Sequence, residues 1–229
     1  MTTKTLPKDL REFQAMLEKI FGEHDARYYS KKQVLLRMFG LIALLGKTIR
    51  RSKGKAGREA LYLSRLFRWF VSLCNFMHLD LAKALWQKYP GVCPHCQAMA
   101  DCSCEDELRA VVEHTLPYYR QTGERPRTIK AWQQMFGRIY GRANRSRVDP
   151  YVFAVFRLLE EVGEVSEELV EGLTDFGAFK LEVADIGARI FALANLLDID
   201  LEDELLRRYS GVCPNCKEET CTCPKRRLD

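Results

Sequence analysis

Glu161 and Glu164 stand three residues apart in RLLEEVGEVSEEL, and Glu182 and Asp185 repeat that spacing in LEVADIGARIFALANLLDID. Residues three apart share one face of a helix, so each pair projects two carboxylates from one side of its segment. Apolar residues adjoin both pairs: Leu158, Leu159, Val162 and Val165 on the first segment, Ile186, Ile190 and Leu193 on the second. Two antiparallel helices joined by a short connection would bring the four carboxylates to the rim of a bundle core. Such crowding needs something to offset the repulsion. A hard divalent cation does so, and Mg²⁺ accepts oxygen ligands while keeping waters for a phosphate-bearing substrate. Glutamates at helical spacing are also common on solvated faces. Glu182 and Asp185, however, interrupt an otherwise apolar segment, which favours the metal site.

The second chemistry is thiolate. Eight of the nine cysteines form two groups, Cys93, Cys96, Cys102 and Cys104, then Cys213, Cys216, Cys221 and Cys223, spaced C-x2-C-x5-C-x-C and C-x2-C-x4-C-x-C. Thiolates this close suit tetrahedral Zn²⁺ with no open ligand position, a structural role, with an iron–sulfur centre as the lesser alternative. Each knuckle follows a short helix and is expected to pin that helix to its bundle. Cys74 lies alone in an apolar stripe and reads as a small core residue. Clustered cysteines, with no signal-peptide core after Met1 and no apolar run near the roughly 20 residues that span a bilayer, point to a reducing cytoplasm and no membrane. The four histidines show no catalytic pattern, and no GxxxxGK[ST] phosphate loop is present.

The elements that must position these groups come in two copies. YPGVCPHC (89–96) and YSGVCPNC (209–216) match at an offset of 120, and the register continues backwards through Asn75 and Asn195, Leu61 and Leu181, and Arg37 and Arg157. Nearer the start of each copy the offset becomes 119, pairing LREFQAMLEKIFG (10–22) with IKAWQQMFGRIYG (129–141). This is an internal duplication. Each copy reads as a first amphipathic helix after Asp9 (with Glu12 completing a capping box) or Thr128. A second helix covers about 31–50 or 151–172, and a third about 57–77 or 177–197. A short fourth follows Asp80 or Asp200 and leads into the knuckle. Strand-like alternation is absent. The expected fold is all-α: two tandem helical bundles, residues 1–118 and 119–229, joined by a linker at about 105–125.

The copies differ in charge. Residues 1–120 hold 20 Lys and Arg against 12 Asp and Glu, whereas residues 121–229 hold 16 against 19. The offset of 120 places Gly40, Leu41, Leu44, Tyr62 and Arg65 where the second copy has Glu160, Glu161, Glu164, Glu182 and Asp185. The first copy therefore cannot hold a cation in this way.

EExxE followed after 17 residues by ExxD resembles the signature of the MazG-like, all-α nucleoside triphosphate pyrophosphohydrolases. The likeness spans most of the second copy, from WQQMFGRIYGRANR to ANLLDIDLEDELLRRY, and some MazG-like proteins similarly end in a cysteine knuckle. The resemblance implies Glu161, Glu164, Glu182 and Asp185 as Mg²⁺ ligands, with Mn²⁺ a substitute, and Glu160 as accessory or as a water-orienting base. It implies hydrolysis of a nucleoside triphosphate to monophosphate and pyrophosphate, a nucleotide-pool activity. Like subunits usually pair in that family, so a duplication with one decayed copy suggests a covalent pseudo-dimer, with further homo-oligomerisation left open.

For the basic copy, two readings stand side by side. Its residues, Lys47 and Arg65 among them, either are solvated or reach across to the triphosphate. Asn195 and Trp132 are candidates for base contact, each with packing as the plainer reading. A zinc-bearing regulatory or nucleic-acid-binding module is the alternative function. Aromatics on apolar helical faces, with no recognition-helix pattern, argue against nucleic acid.

Overall fold

The structure, a computed structural model, describes residues 6–52, 58–104 and 124–225. Nearly all of the expected linker, with Lys53, Lys55, Arg226 and Arg227, lies outside the described residues. Among those described there are eight helices and no strand: α1 (Leu10–Tyr28), α2 (Lys31–Ser52), α3 (Glu59–Phe76), α4 (Leu81–Lys88), α5 (Ile129–Arg145), α6 (Pro150–Glu171), α7 (Phe176–Leu196) and α8 (Leu201–Arg208). None is long and apolar enough to cross a membrane.

Side-chain caps begin these helices where the sequence offers them. Asp9 accepts from the Glu12 amide (2.8 Å), Thr128 from Ala131 (3.0 Å), Asp80 from Lys83 (2.8 Å) and Asp200 from Asp203 (3.1 Å). Each cap of this kind is worth about 1 kcal/mol. The capping box at Asp9 differs from expectation by one residue: the Glu12 carboxylate accepts from the amide of Lys8, not of Asp9 (2.7 Å).

The duplication extends to unusual backbone conformations. Gly91 and Gly211 have φ of 84° and 82°, His78 and Asp198 have 51° and 52°, and Gln97 and Lys217 have 61° and 67°. All three pairs are 120 apart. The unmatched left-handed residue within the knuckles is Asp101 (φ 48°), which falls in the Cys96–Cys102 segment that is one residue longer than its counterpart.

Two buried helices, α3 and α7, form the centre. Around them α1 and α2 pack on α3, and α5 and α6 pack on α7. The copies meet through α3 with α7 and α2 with α6, and they exchange their short helices: α4 packs on α7, and α8 on α3. Phe67 and Phe191 lie 6.0 Å apart across this centre, with Phe136 5.4 Å from Phe191. Close approach requires a glycine on α7. A Cβ at Gly187 would lie 2.9 Å from a methyl of Leu85 on α4 and 3.5 Å from the Phe70 ring on α3. Cys74 is fully buried in α3, as its stripe predicts.

The knuckles also reach beyond their own copy. Rather than only pinning its own short helix, each bonds the first helix of the opposite copy. The Cys102 amide donates to the carbonyl of Ile139 on α5, and the Cys221 amide to that of Ile20 on α1, both at 2.7 Å. Each bond is the image of the other at an offset of 119.

Candidate functional site

Helices α6 and α7 lie side by side, and their carboxylates open into a cavity of about 620 Å³. Oxygens of Glu161, Glu164 and Glu182 all lie within 4.8 Å of one another, a spacing at which they could hold a metal ion. Glu161 is buried at the base (4 % exposed), Glu182 is half-buried, and Glu164 is exposed at the mouth. Glu160 sits exposed at the rim and is held by the Arg157 guanidinium.

Asp185 stands apart from this triplet. It is buried, and it accepts hydrogen bonds from the Tyr89 hydroxyl and the Lys88 ammonium, both from the end of α4 in the other copy. Lys88 also lies 3.9 Å from Glu182. Glu161 is held at one oxygen by Arg189 (Nε 3.0 Å, Nη2 2.9 Å) and by Arg157 (3.2 Å).

The electrostatics of the triplet are those of crowded acids. Burial raises the Glu161 pKa above its ordinary value and the Asp185 charge adds to this, against the pull of Arg189 and Arg157. Burial followed by the charge of Glu182 raises Glu164. Burial raises Glu182 too, with Asp185 and Glu161 adding to it and Lys88 opposing. Tyr89 is pushed well up, by burial first and by Asp185 second, and stays a protonated donor. The site thus favours protonation, or a cation in place of the protons.

One wall of the cavity comes from the first knuckle, with Pro94 and His95, and another from Tyr140 and Phe153. At about 620 Å³ it falls in the size range of small-molecule sites. Each cysteine tetrad is arranged so that it could hold zinc. Its four sulfurs lie within 4.8 Å of one another. The separations of 3.4 Å (Cys93–Cys102), 3.5 Å (Cys96–Cys102) and 3.9 Å (Cys93–Cys104, Cys213–Cys223) are close to the roughly 3.8 Å edge of a tetrahedron with 2.3 Å bonds. At Cys216 burial disfavours the thiolate slightly, but the backbone amides of Glu218 and Thr222 donate to the sulfur and bring its pKa to about 6. At Cys96 burial is likewise opposed, with the Ala98 amide foremost, leaving its pKa at about 7.

The other expected substrate contacts lie elsewhere. Arg65 lines a different cavity, formed by α1–α3 and the second knuckle, and Lys47 is exposed on α2. Neither lines the acidic cavity. Trp132 is fully buried 6.4 Å from Phe136. Asn195 braces α5: its amide donates to the Gln133 carbonyl (2.9 Å) and accepts from the Gln133 side chain (3.2 Å). Gln133 in turn bonds Ile199 and Leu201. Gln14 and Asn75 repeat this brace in the first copy (2.9 Å). Sequence reasoning missed Lys88, Tyr89, Arg157 and Arg189. Tyr89 carried a signal, since its counterpart Tyr209 also precedes a knuckle, and so did Arg157, which the repeat pairs with Arg37.

Compared with family models, curated proteins and solved structures, the chain finds no match.

Proposed function

We propose that the chain is a Mg²⁺-dependent nucleoside triphosphate pyrophosphohydrolase, releasing monophosphate and pyrophosphate. The observation that carries this reading is the triplet Glu161, Glu164 and Glu182, whose pKa values burial and neighbouring carboxylates raise, at the wall of a cavity large enough for a nucleotide. The MazG-like order of the motif agrees with it. Raised carboxylate pKa values mark a site whose charge a cation relieves, so the residues fit the ion.

Glu161, Glu164 and Glu182 would hold Mg²⁺, with Asp185 joining them if Lys88 turns away. When bound, the ion supplies charge neutralisation at phosphate oxygens and lowers the pKa of a coordinated water. Arg189 and Arg157 fix the Glu161 carboxylate. Glu160 at the rim can orient a water or accept its proton as it attacks phosphorus. Lys88 offers an ammonium to the phosphates, and Tyr89 keeps Asp185 in place. In this reading the copies form a covalent pseudo-dimer in which the first supplies Lys88 and Tyr89 to the site of the second, and each tetrad holds a structural Zn²⁺.

The test is pyrophosphate release from a panel of canonical and modified nucleoside triphosphates, with and without Mg²⁺, by wild type and Glu161→Ala. Mg²⁺-dependent release by wild type alone is expected. Equal release by both proteins removes the enzyme reading.

A further inference from the structure

The counterpart of the acidic cavity in the first copy has kept its frame and reversed its charge. This second cavity, of about 110 Å³, is lined from α1, α2 and α3 of the first copy and from α8 and the knuckle of the second. At offsets of 119 and 120 its walls repeat those of the acidic one. Leu41 replaces Glu161, Arg65 replaces Asp185, Arg208 replaces Lys88, and Tyr209 stands for Tyr89. Four arginines line it (Arg37, Arg65, Arg68 and Arg208), and among the described residues no carboxylate does.

The cations are set in place by aromatic rings. The Arg68 guanidinium lies 3.9 Å from the centroids of both Phe21 and Trp69, and Arg37 lies 4.6 Å from that of Tyr29. Arg68 also donates to Asp25 behind the cavity wall (2.9 Å), which offsets one of the four charges. Arg65 and Arg208 add positive charge to the lining.

A second, independent observation comes from the buried nitrogens. Arg68 Nη1 and Arg208 Nε are buried without a hydrogen-bond partner among the described residues, and both residues line this cavity. Arg68 is itself over nine-tenths buried, with 5 % exposure. Buried donors left unpaired cost about 1–3 kcal/mol each, so their concentration on one cavity calls for an acceptor.

We propose that this cavity is a binding site for a phosphate-class oxyanion, orthophosphate or pyrophosphate, held by Arg65, Arg208 and the unpaired Nη1 of Arg68. Guanidinium forks match the tetrahedral oxygens of phosphate, which makes arginine the apt residue for this work. The volume selects for size. About 110 Å³ has room for a few water-sized groups, enough for one or two phosphoryl groups but not for a base and sugar as well. The site stands whether or not the acidic cavity hydrolyses nucleotides.

Calorimetric titration of the full zinc-loaded chain in Mg²⁺-free buffer, with sodium phosphate and sodium pyrophosphate in separate arms at constant ionic strength, tests it. Saturable binding of one anion per chain is expected, tighter for whichever of the two the cavity fits. Affinity should fall at least tenfold in Arg65→Gln and in Arg208→Gln and stay unchanged in Lys88→Gln. Thermal melts confirm that the variants fold, and either arginine variant suffices if the other does not. Absence of saturable binding of both anions at millimolar concentration overturns the proposal. So does binding that Lys88→Gln weakens as much as the arginine variants, which would put the anion in the acidic cavity.

Discussion

The hydroxyl of Tyr89, at the end of α4, hydrogen-bonds the carboxylate of Asp185 on α7, so the first copy completes the acidic cavity of the second. Lys88 reaches the same carboxylate. These contacts follow from the exchange of short helices between the copies: α4 lies on α7 and carries its last residues to the cavity.

Tyr89→Phe keeps the ring against Phe136 (5.2 Å) and removes only the donor. Asp185 then stays buried with one partner fewer, and the loss of stability should be about 1–2 kcal/mol, read from urea denaturation. Lys88→Ala separates binding from packing. If the ammonium meets the triphosphate, KM should rise about tenfold, as expected from a charge-assisted hydrogen bond. An unchanged KM in Lys88→Ala removes that role.

Asn195→Ala should behave in the opposite way. Its bonds to Gln133 tie α7 to α5, and Gln133 carries the tie to the start of α8. Loss of this brace should cost about 1–3 kcal/mol of stability and leave KM for any substrate unchanged. Asn75→Ala should cost a similar amount, because Gln14 and Asn75 make the equivalent brace. A KM effect confined to Asn195→Ala would instead mark Asn195 as a contact to the base.

Helical periodicity and the repeat were enough to foresee eight helices, the caps of the first and fourth helix in each copy and the meeting of Glu161, Glu164 and Glu182, because spacing along a helix decides which residues share a face. The partners across helices were not legible. Periodicity reports that one side of α4 is buried but not that α7 of the other copy buries it, so Lys88 and Tyr89 went unseen. Equal i, i+3 spacing also made Asp185 look equivalent to Glu164, although only Asp185 lies under the end of α4. For Arg65 the offset carried the right information in another sense. It located the counterpart of Asp185, and that counterpart faces the basic cavity of its own copy.

Loss of zinc should act differently at the two knuckles. The first knuckle lends Pro94 and His95 to the acidic cavity and bonds Ile139, whereas the second lends Pro214 and Asn215 to the basic cavity and bonds Ile20. Metal analysis should find one zinc ion for each tetrad. Cys96→Ser should lower turnover together with melting temperature, and Cys216→Ser should lower melting temperature and anion binding with turnover less affected. Intact melting after removal of both ions by a chelator would show that the tetrads carry no structural metal.

The acidic triplet should make stability depend on pH in a direction that a divalent cation reverses. Glu161, Glu164 and Glu182 all have folded-state pKa values above the ordinary 4.5. The folded chain therefore holds more protons than the unfolded one from about that value up to the raised values. Their contribution to stability is fully present below 4.5 and is lost as pH rises through the folded-state pKa values. Asp25 works in a separate, lower window. Burial opposes its ionisation, but Arg68, His24 and Ser72 outweigh that and hold its pKa below 3.8, so its contribution is lost only as pH falls further. A cation bound to the triplet favours the ionised carboxylates, so Mg²⁺ should raise the melting temperature more at about pH 8 than at about pH 5. Glu164→Gln should flatten both the pH dependence and the Mg²⁺ effect, since it removes one of the repelling charges and one ligand. Melting curves with and without Mg²⁺ at the two pH values measure this directly. An Mg²⁺ shift of equal size at both pH values, or one that Glu164→Gln leaves intact, would place the ion somewhere other than on these three carboxylates.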